Sequence, residues 1–447
     1  MVDLLPLLLA LGVIVLWCLG LYALQRRGLL EPRGLHPSPP PAGPFLMWKT
    51  VRGRQLIDRL ARPARFWRVF GDIAIILVAL TMVGTTVLLI WEATLVQNAA
   101  IRANPPSPEA LLGLPGINPI IPLGYGILGL AVAIILHEFS HGILSRVAKI
   151  NIRSLGLIFL IFPIGAFVEP DEDQLRALPR RERARLYAVG PATNVLLAVL
   201  FASLFSSIVV TSVAPVHDGV GVVGFTNATS PAFVAGMKPY TVITAINGTP
   251  VRTYAEFVNA LSAARVNVTI PIVAYDPAAR TSTTYNVTPT ERNAITGRAI
   301  LGIYAFDVST DYYHPLTNPA RFGGVPQAIL AYVSLPLSGY SPIEEPATRF
   351  YQLQGAAAVI PAPLFWLIVN AMYWLFWLNL MLGATNALPA VPLDGGYIFR
   401  DGIEGFVSRF RKGLSAKQME RIGRGVSYTF AFLILGLVLW QIIGPRL

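Results

Sequence analysis

Residues 120–145 read IIPLGYGILGLAVAIILHEFSHGILS, and this stretch decides the fold of the chain. It is mostly apolar, it contains no lysine or arginine, and it exceeds the roughly 20 residues that an α-helix needs to cross a bilayer. One carboxylate and two imidazoles lie inside it, in the order His137-Glu138-Phe-Ser-His141. Ionisable residues are costly inside a membrane, so these three side chains indicate a functional site.

The spacing of the two histidines predicts a metal site. Residues four apart on an α-helix lie on one face, one turn apart, so His137 and His141 can face one ion with Glu138 beside it. Zn²⁺ suits imidazole and carboxylate ligands. Because the chain has five histidines in all, a chance match to this pattern is improbable. The alternative is that both histidines are simply buried in a helix bundle.

The depth of this site follows from the nearest charges. Arg146 and Lys149 mark the end of the apolar run. At 1.5 Å per residue, His137 lies about 13 Å from Arg146 along the helix axis. We therefore expect the metal inside the membrane, nearer to the cytoplasmic face.

Composition supports a membrane protein throughout. Of the 447 residues, 54% are hydrophobic and 13% are charged, against roughly 25% charged in a soluble domain. The net charge of +11 lies beside hydrophobic runs, so a lipid bilayer and no nucleic acid is the expected partner. The single cysteine, Cys18, excludes both a disulfide framework and a thiolate metal site.

Six apolar stretches are long enough to span a bilayer. They comprise residues 4–24, 73–95, 120–145, 187–210, 361–385 and 426–444. Two other apolar runs, 155–168 and 325–337, are shorter and contain proline, so we assign neither as a span.

Charge predicts the orientation, because cytoplasmic loops are rich in lysine and arginine. Segments 25–72, 146–186 and 386–425 hold 25 of the 35 basic residues and are predicted to be cytoplasmic. Both termini and residues 211–360 are then extracytoplasmic. The N-terminus has no basic residue before its apolar run, so we read that run as a retained span and not as a secretory signal.

A third metal ligand is suggested where the fifth span ends, in Asn386-Ala-Leu-Pro-Ala-Val-Pro-Leu-Asp394-Gly-Gly. Prolines and glycines break the helix around one carboxylate, and such backbone is tolerated in a membrane only when it is buried or lines a wet cavity. A hydrolytic zinc needs a third protein ligand and an open position for water. Asp394 is the candidate; the alternative is an ordinary loop aspartate outside the membrane.

The large outer segment has a different pattern. Residues 230–251, SPAFVAGMKPYTVITAINGTPV, predict a short helix, a strand, an Asn-Gly turn and a second strand. This resembles the PDZ domains of membrane and periplasmic proteases, with a body at 219–306. A Gly-rich turn with Gly219, Gly221 and Gly224 is the candidate loop for binding a peptide carboxylate. Residues 307–360 are left unassigned.

Taken together, the HEFSHG helix, the NALPAVPLDGG segment and the PDZ-like insertion resemble the site-2 protease family of intramembrane zinc metalloproteases. Residues 162–171, FPIGAFVEPD, look like that family's membrane-associated β-hairpin. Gly190-Pro-Ala-Thr-Asn194 looks like a motif of its following span. The resemblance covers about 120–400, and the first two spans fit it only loosely.

The resemblance implies roles for single residues. His137, His141 and Asp394 become the ligands of one Zn²⁺ per chain, and Glu138 becomes the catalytic acid and base. Asn194 and Asn386 are expected near the active site, although Asn194 could instead bond a neighbouring helix. The hairpin would hold an unwound substrate by strand addition, unless it is a plain interfacial loop; its residues are Phe162, Pro163, Ile164, Gly165, Ala166, Phe167 and Val168.

We therefore predict a polytopic α-helical membrane protein with about six transmembrane helices, a membrane-associated β-hairpin and an inserted small α+β PDZ-like domain. The predicted parts are two N-terminal spans with a basic loop (1–95), a first core part (120–210), an extracytoplasmic region (211–360) and a second core part (361–447).

The predicted activity is hydrolysis of peptide bonds within transmembrane segments, in a multi-pass protein of the cell membrane. Its substrates would be transmembrane proteins, typically single-span and already shortened by another protease. The alternative is a catalytically silent scaffold that binds peptides through its PDZ-like domain, against which the intact set of His, Glu and Asp argues. A metal transporter is disfavoured, because residues 127–136 are wholly apolar and offer no polar path.

Overall fold

A computed structural model describes residues 5–38, 43–103, 105, 107–111, 113–293, 296–336, 343–411 and 413–447. The chain forms two compact units. The first contains Met1–Leu200 and Trp374–Leu447, and the second contains Phe201–Tyr373. The candidate ligands all belong to the first unit, so the fold of that unit positions the site.

The α-helices of the described chain are α1 (Leu5–Arg26), α2 (Arg54–Leu60), α3 (Ala64–Leu95), α4 (Ala99–Ala103), α5 (Leu123–Val147), α6 (Glu172–Ala177), α7 (Arg180–Ser212), α8 (Pro231–Val234), α9 (Tyr254–Ala263), α10 (Val325–Val333), α11 (Ala362–Asn386), α12 (Asp394–Phe410) and α13 (Ala416–Ile443). The strands are β1 (Leu35–Ser38), β2 (Phe45–Thr50), β3 (Ile152–Leu160), β4 (Phe162–Pro170), β5 (Val213–Pro215), β6 (Val220–Phe225), β7 (Thr241–Ile246), β8 (Thr249–Pro250), β9 (Ile270–Asp276), β10 (Thr281–Val287), β11 (Ile303–Asp307) and β12 (Tyr351–Leu353).

Within the described residues, five helices are long and apolar enough to cross a membrane: α3, α5, α7, α11 and α13. They coincide with five of the six predicted spans. The remaining one, residues 4–24, falls on α1, whose side chains are described only from Gly12 onward. From Gly12 to Arg26 it is a shorter apolar helix, so a sixth span stays a prediction.

The predicted β-hairpin is part of a larger sheet in the first unit. Strands β3 and β4 pair antiparallel, with Leu155 opposite Val168. Two further strands join them, giving the order β1-β2-β3-β4. The sequence predicts a basic segment at 25–72 and no strands within it, and the structure adds β1 and β2 there. Alternating side chains in β2 let this segment pair with β3, where Trp48 lies opposite Leu157.

Close helix packing in the first unit depends on small residues. At Gly129 of α5, a Cβ would lie 2.6 Å from the Leu378 side chain of α11. A Cβ at Gly383 of α11 would lie 3.1 Å from the carbonyl oxygen of Pro191 on α7. Glycine lets helix backbones approach closely in a membrane, and here it brings α5, α7 and α11 together around the candidate site.

The second unit contains a six-stranded sheet in the order β10-β9-β7-β6-β11, with β8 paired to β7. The elements predicted for residues 230–251 are present as α8, β7 and β8. The turn between the two strands uses Asn247 and Gly248, both at positive φ (49° and 76°), as a tight hairpin turn requires. The agreement is one of secondary structure, and the PDZ-like identification stays a prediction.

Residues 307–360, which the sequence left unassigned, contain short 3₁₀ turns, helix α10 and strand β12. Strand β12 pairs with β5. At nine residues, α10 is far too short to cross a bilayer, in line with the exclusion of residues 325–337 as a span. Helix α10 is amphipathic, with Ala328 and Tyr332 buried and Val325 53% exposed.

Candidate metal centre

Three side chains converge on one point in the first unit. The Nε2 atom of His137 lies 3.1 Å from the Nε2 atom of His141 and 3.1 Å from Oδ2 of Asp394. The remaining side of this triangle, from His141 Nε2 to Asp394 Oδ2, measures 3.2 Å. The two histidines come from α5, as the four-residue spacing predicts, and the aspartate lies 257 residues away from His137 in sequence.

The orientation of His141 is held from α7. Its Nδ1 atom lies 2.7 Å from the backbone carbonyl oxygen of Leu186. A carbonyl oxygen only accepts, so Nδ1 carries the proton and Nε2 keeps a lone pair for a ligand bond in the neutral ring. In metal-bound histidines the ring nitrogen that does not bind the metal usually donates such a hydrogen bond, and this bond fixes the tautomer.

Asp394 is the first residue of α12, and two glycines bring it into place. A Cβ on Gly395 would lie 2.2 Å from the carbonyl oxygen of Ala387, and one on Gly396 would lie 2.5 Å from the backbone of Ala390. These are backbone atoms that cannot swing aside. The Gly-Gly pair therefore lets the start of α12 pack directly on the turn that follows α11.

The geometry of the three donor atoms fits a zinc ion. Bond lengths of about 2.0–2.1 Å in a tetrahedral site place ligand atoms about 3.3 Å apart, close to the three separations measured here. His137 is 5% exposed, and a cation would satisfy the lone pairs that converge there. Within the described residues, this is the one group of three or more His, Cys, Asp or Glu side chains with such geometry.

Gly190 makes room for the three donors. A Cβ at this position of α7 would lie 2.3 Å from Nε2 of His141 and 2.6 Å from Nε2 of His137. Any side chain would occupy the space that a metal ion needs. From the sequence Gly190 is only part of the Gly190-Pro-Ala-Thr-Asn194 motif, and its steric role depends on how α7 packs on α5.

Glu138 lies beside the histidines but contacts the sheet. Its Oε2 atom accepts a hydrogen bond of 3.1 Å from the backbone N–H of Val168. Strand β4 is the edge of its sheet, and this N–H points away from β3. The contact fixes one carboxylate oxygen of Glu138 against the edge of the sheet.

A cavity of about 340 Å³, called here the metal-facing cavity, is lined by His137, Glu138, His141 and Asp394. Asn386 and Tyr187 also line it, and Asn386 donates from Nδ2 to the carbonyl oxygen of Leu382 at 3.2 Å. Tyr187, which the sequence did not mark as a site residue, stacks on Tyr397 of α12 at a centroid distance of 5.1 Å.

Asn194 lies one turn after Gly190 on α7 and is fully buried. Within the described part of the chain, neither atom of its amide has a hydrogen-bond partner. The structure therefore shows no hydrogen bond from Asn194 to Asp394, and a role for Asn194 near the active site stays a prediction.

Residues of the predicted substrate hairpin lie in β4. Ala166, Phe167 and Val168 face a second cavity beside the metal centre, whereas the side chains of Phe162 and Pro163 lie outside the described part of the structure. Ile164 and Gly165 belong to the same strand, and Gly165 pairs with Ile158 of β3.

The predicted Gly-rich turn is not a turn. Gly221 and Gly224 lie within strand β6, and Gly219 immediately precedes it. From Val220 to Val222 this strand pairs with β7 on one side and β11 on the other. Its backbone is therefore occupied by the sheet, and the small residues serve close packing: a Cβ on Gly221 would lie 2.9 Å from the ring of Phe350.

An ion pair joins α7 to α12 beyond Asp394. Nε and Nη2 of Arg183 donate to the two carboxylate oxygens of Asp401 at 2.9 and 3.1 Å. The Asp401 side chain is 4% exposed and that of Arg183 17%. Asp401 lies seven residues, or about two turns, after Asp394. This pair thus holds the helix that carries the candidate ligand.

Comparison with known proteins places the candidate site within a family match. The protein-family model described as Peptidase family M50 matches residues 125–435. An uncharacterized protein of Methanocaldococcus jannaschii is 21% identical over 421 residues, which cover 89% of this chain and 90% of that protein. The family match contains both histidines, Glu138 and Asp394.

Proposed function

The chain belongs to peptidase family M50, a family of zinc metalloproteases, and on this premise we propose that it hydrolyses peptide bonds within the transmembrane segments of other membrane proteins. The observation that carries the proposal is the triangle of His137, His141 and Asp394, whose donor atoms lie 3.1–3.2 Å apart. These three residues would hold one Zn²⁺ per chain. Both histidines lie on α5, one of the helices long and apolar enough to cross a membrane.

A bound zinc would lower the pKa of its water towards neutrality and polarise the substrate carbonyl. Glu138 then takes one proton from the attacking water as the oxygen bonds to the carbonyl carbon. When the C–N bond breaks, Glu138 passes that proton to the leaving nitrogen. One water is consumed, and the products are a new carboxyl terminus and a new amino terminus.

The substrate has to be locally extended, since an α-helix keeps its carbonyl oxygens in internal hydrogen bonds. Strand β4 is the last strand of its sheet, and its outer edge beside Glu138 supports this step by strand addition. Asn194 and Asn386 are proposed to polarise the carbonyl or to steady the site. Asn386, which lines the metal-facing cavity, has the more direct support.

The charge distribution supports an orientation with the basic segments in the cytoplasm and residues 211–360 outside. Single-span proteins that another protease has already shortened are the proposed substrates.

The decisive test compares the full-length chain with its Glu138→Gln variant on a synthetic transmembrane peptide in liposomes. We expect wild type to cut the peptide and the variant to cut it at least about a hundredfold more slowly, while both hold about one zinc per chain. Glu172→Gln, at an exposed glutamate of α6, is the matched control and should cut normally.

Equal cleavage by Glu138→Gln would show that another group moves the proton. Absence of cleavage by zinc-loaded wild type would favour the silent scaffold instead. In cells, substrates that accumulate uncut with Glu138→Gln would identify the physiological targets.

A further inference from the structure

A second cavity of about 260 Å³ adjoins the metal-facing one. Its wall is almost entirely apolar and comes from α5 and from strands β2, β3 and β4. The large side chains that line it are Trp48, Ile135, Phe139, Leu155, Leu157 and Phe167. Trp48 and Ile135 remain 41% and 43% exposed, so these apolar surfaces are not fully covered by the chain itself.

The position of Glu138 connects the two cavities. Successive residues of an α-helix are turned by about 100°. His137, Glu138 and His141 face the metal-facing cavity, whereas Ile135, Glu138 and Phe139 face the apolar one. Glu138 thus lies at the boundary between two adjacent sectors of α5. Val168, which donates to Glu138, also lines both cavities.

The chemistry of hydrolysis determines which part of a substrate lies at this boundary. The group that returns a proton to the leaving nitrogen has to be within hydrogen-bond reach of it. That nitrogen belongs to the residue after the cleaved bond. The carbonyl of the cleaved bond has to lie on the side of Glu138 that faces the candidate metal site. The side chain of the residue after that bond then lies towards the apolar cavity.

Strand β4 supports the same alignment. Val168 presents its N–H away from β3, and in a strand every second residue faces the same way. Ala166 is two residues before Val168 and also lines the apolar cavity. An extended substrate that follows this edge passes the mouth of the cavity next to Glu138.

We propose that the apolar cavity receives the side chain of the substrate residue on the amine side of the cleaved bond and selects leucine or phenylalanine over alanine at that position. The inference rests on the proposed protease function. Trp48 gives the N-terminal segment a part in specificity, because β2 contributes this side chain to the wall.

The test uses the zinc-loaded full-length chain in liposomes and synthetic transmembrane peptides that differ at one central residue: alanine, leucine or phenylalanine. Mass spectrometry maps the cut. We expect kcat/KM to be at least about tenfold higher for leucine and phenylalanine than for alanine. The varied residue should become the first residue of the released fragment.

A cavity-filling variant tests the pocket itself. Leu157→Trp should remove the preference for large residues or reverse it. Ile158→Trp is the matched control, since the neighbouring side chain points to the opposite face of β3 and does not line the cavity. If Leu157→Trp does not fold, Trp48→Ala enlarges the cavity and should shift the preference from leucine towards phenylalanine.

The experiment distinguishes failure of the pocket proposal from failure of the proposed protease function. Cleavage with no preference between alanine and leucine, or a preference that both cavity variants leave unchanged, would overturn the pocket while the protease stands. Failure of wild type to cut any peptide would overturn the proposed function and this inference with it.

Discussion

At the scale of a single residue, Gly190 leaves the space that the candidate metal centre needs. It has no motif-like chemistry of its own, and its importance comes from what a Cβ would touch. The two ring nitrogens that point at the proposed ion lie 2.3 and 2.6 Å from that position. Substitution therefore acts directly on the donor atoms.

Replacing Gly190 with alanine should lower zinc affinity by at least about tenfold, because the methyl group displaces both imidazoles. Zinc content after dialysis against a graded chelator series measures the effect. Gly84→Ala in α3 is the control, since a Cβ there meets nothing within 4 Å. Equal zinc retention by the two variants would contradict the assignment of this site.

The paired glycines after Asp394 lead to a second prediction at this scale. Gly395→Ala should reduce cleavage about a hundredfold, because a shift of about 1 Å in a catalytic group has effects of this size. Gly402→Ala, on the same helix with nothing within 4 Å of its Cβ, should cut normally. The measurement is kcat/KM on one peptide, and similar losses in both variants would point to a general defect of α12.

At the scale of elements, the position of α12 relative to α7 decides where Asp394 lies. The two helices contact each other at two places along their length. Arg183 forms an ion pair with Asp401, and Tyr187 stacks on Tyr397. A buried ion pair is weak evidence for net stability, but removing one partner leaves an uncompensated buried charge.

Arg183→Ala should therefore destabilise the protein by about 3–5 kcal/mol, as measured by thermal denaturation in detergent micelles. Arg176→Ala removes an exposed pair with Glu172 and should cost at most about 1 kcal/mol. The double variant Arg183→Met with Asp401→Leu should recover most of the loss. If it is no more stable than Arg183→Ala, the buried charge is not the cause.

At the scale of the whole molecule, the charge distribution predicts which segments face the cytoplasm. The basic segments predict that α6 is cytoplasmic and that β10 is outside.

Single cysteines in a Cys18→Ala background test the orientation with an impermeant maleimide. Arg176→Cys, whose side chain is 78% exposed in the native residue, should react only from the cytoplasmic side. Thr283→Cys on β10, also exposed, should react only from outside. Labelling of position 283 from the cytoplasm would reverse the topology.

The sequence by itself determined the features that depend on neighbouring residues. Five spans, the shared face of His137 and His141, and the turn at Asn247 and Gly248 follow from length, helical spacing and local backbone preference. Each is a short-range property, so a single chain read from end to end predicts it.

Only the tertiary structure decided which distant residues meet. It brought Asp394 to the histidines, placed Gly190 against their ring nitrogens, added β1 and β2 to the hairpin and created the apolar cavity beside Glu138. It also placed most of the expected Gly-rich turn within strand β6, which has neighbours on both sides. Helix packing and strand pairing between distant segments depend on the shape of both partners, which no local pattern contains.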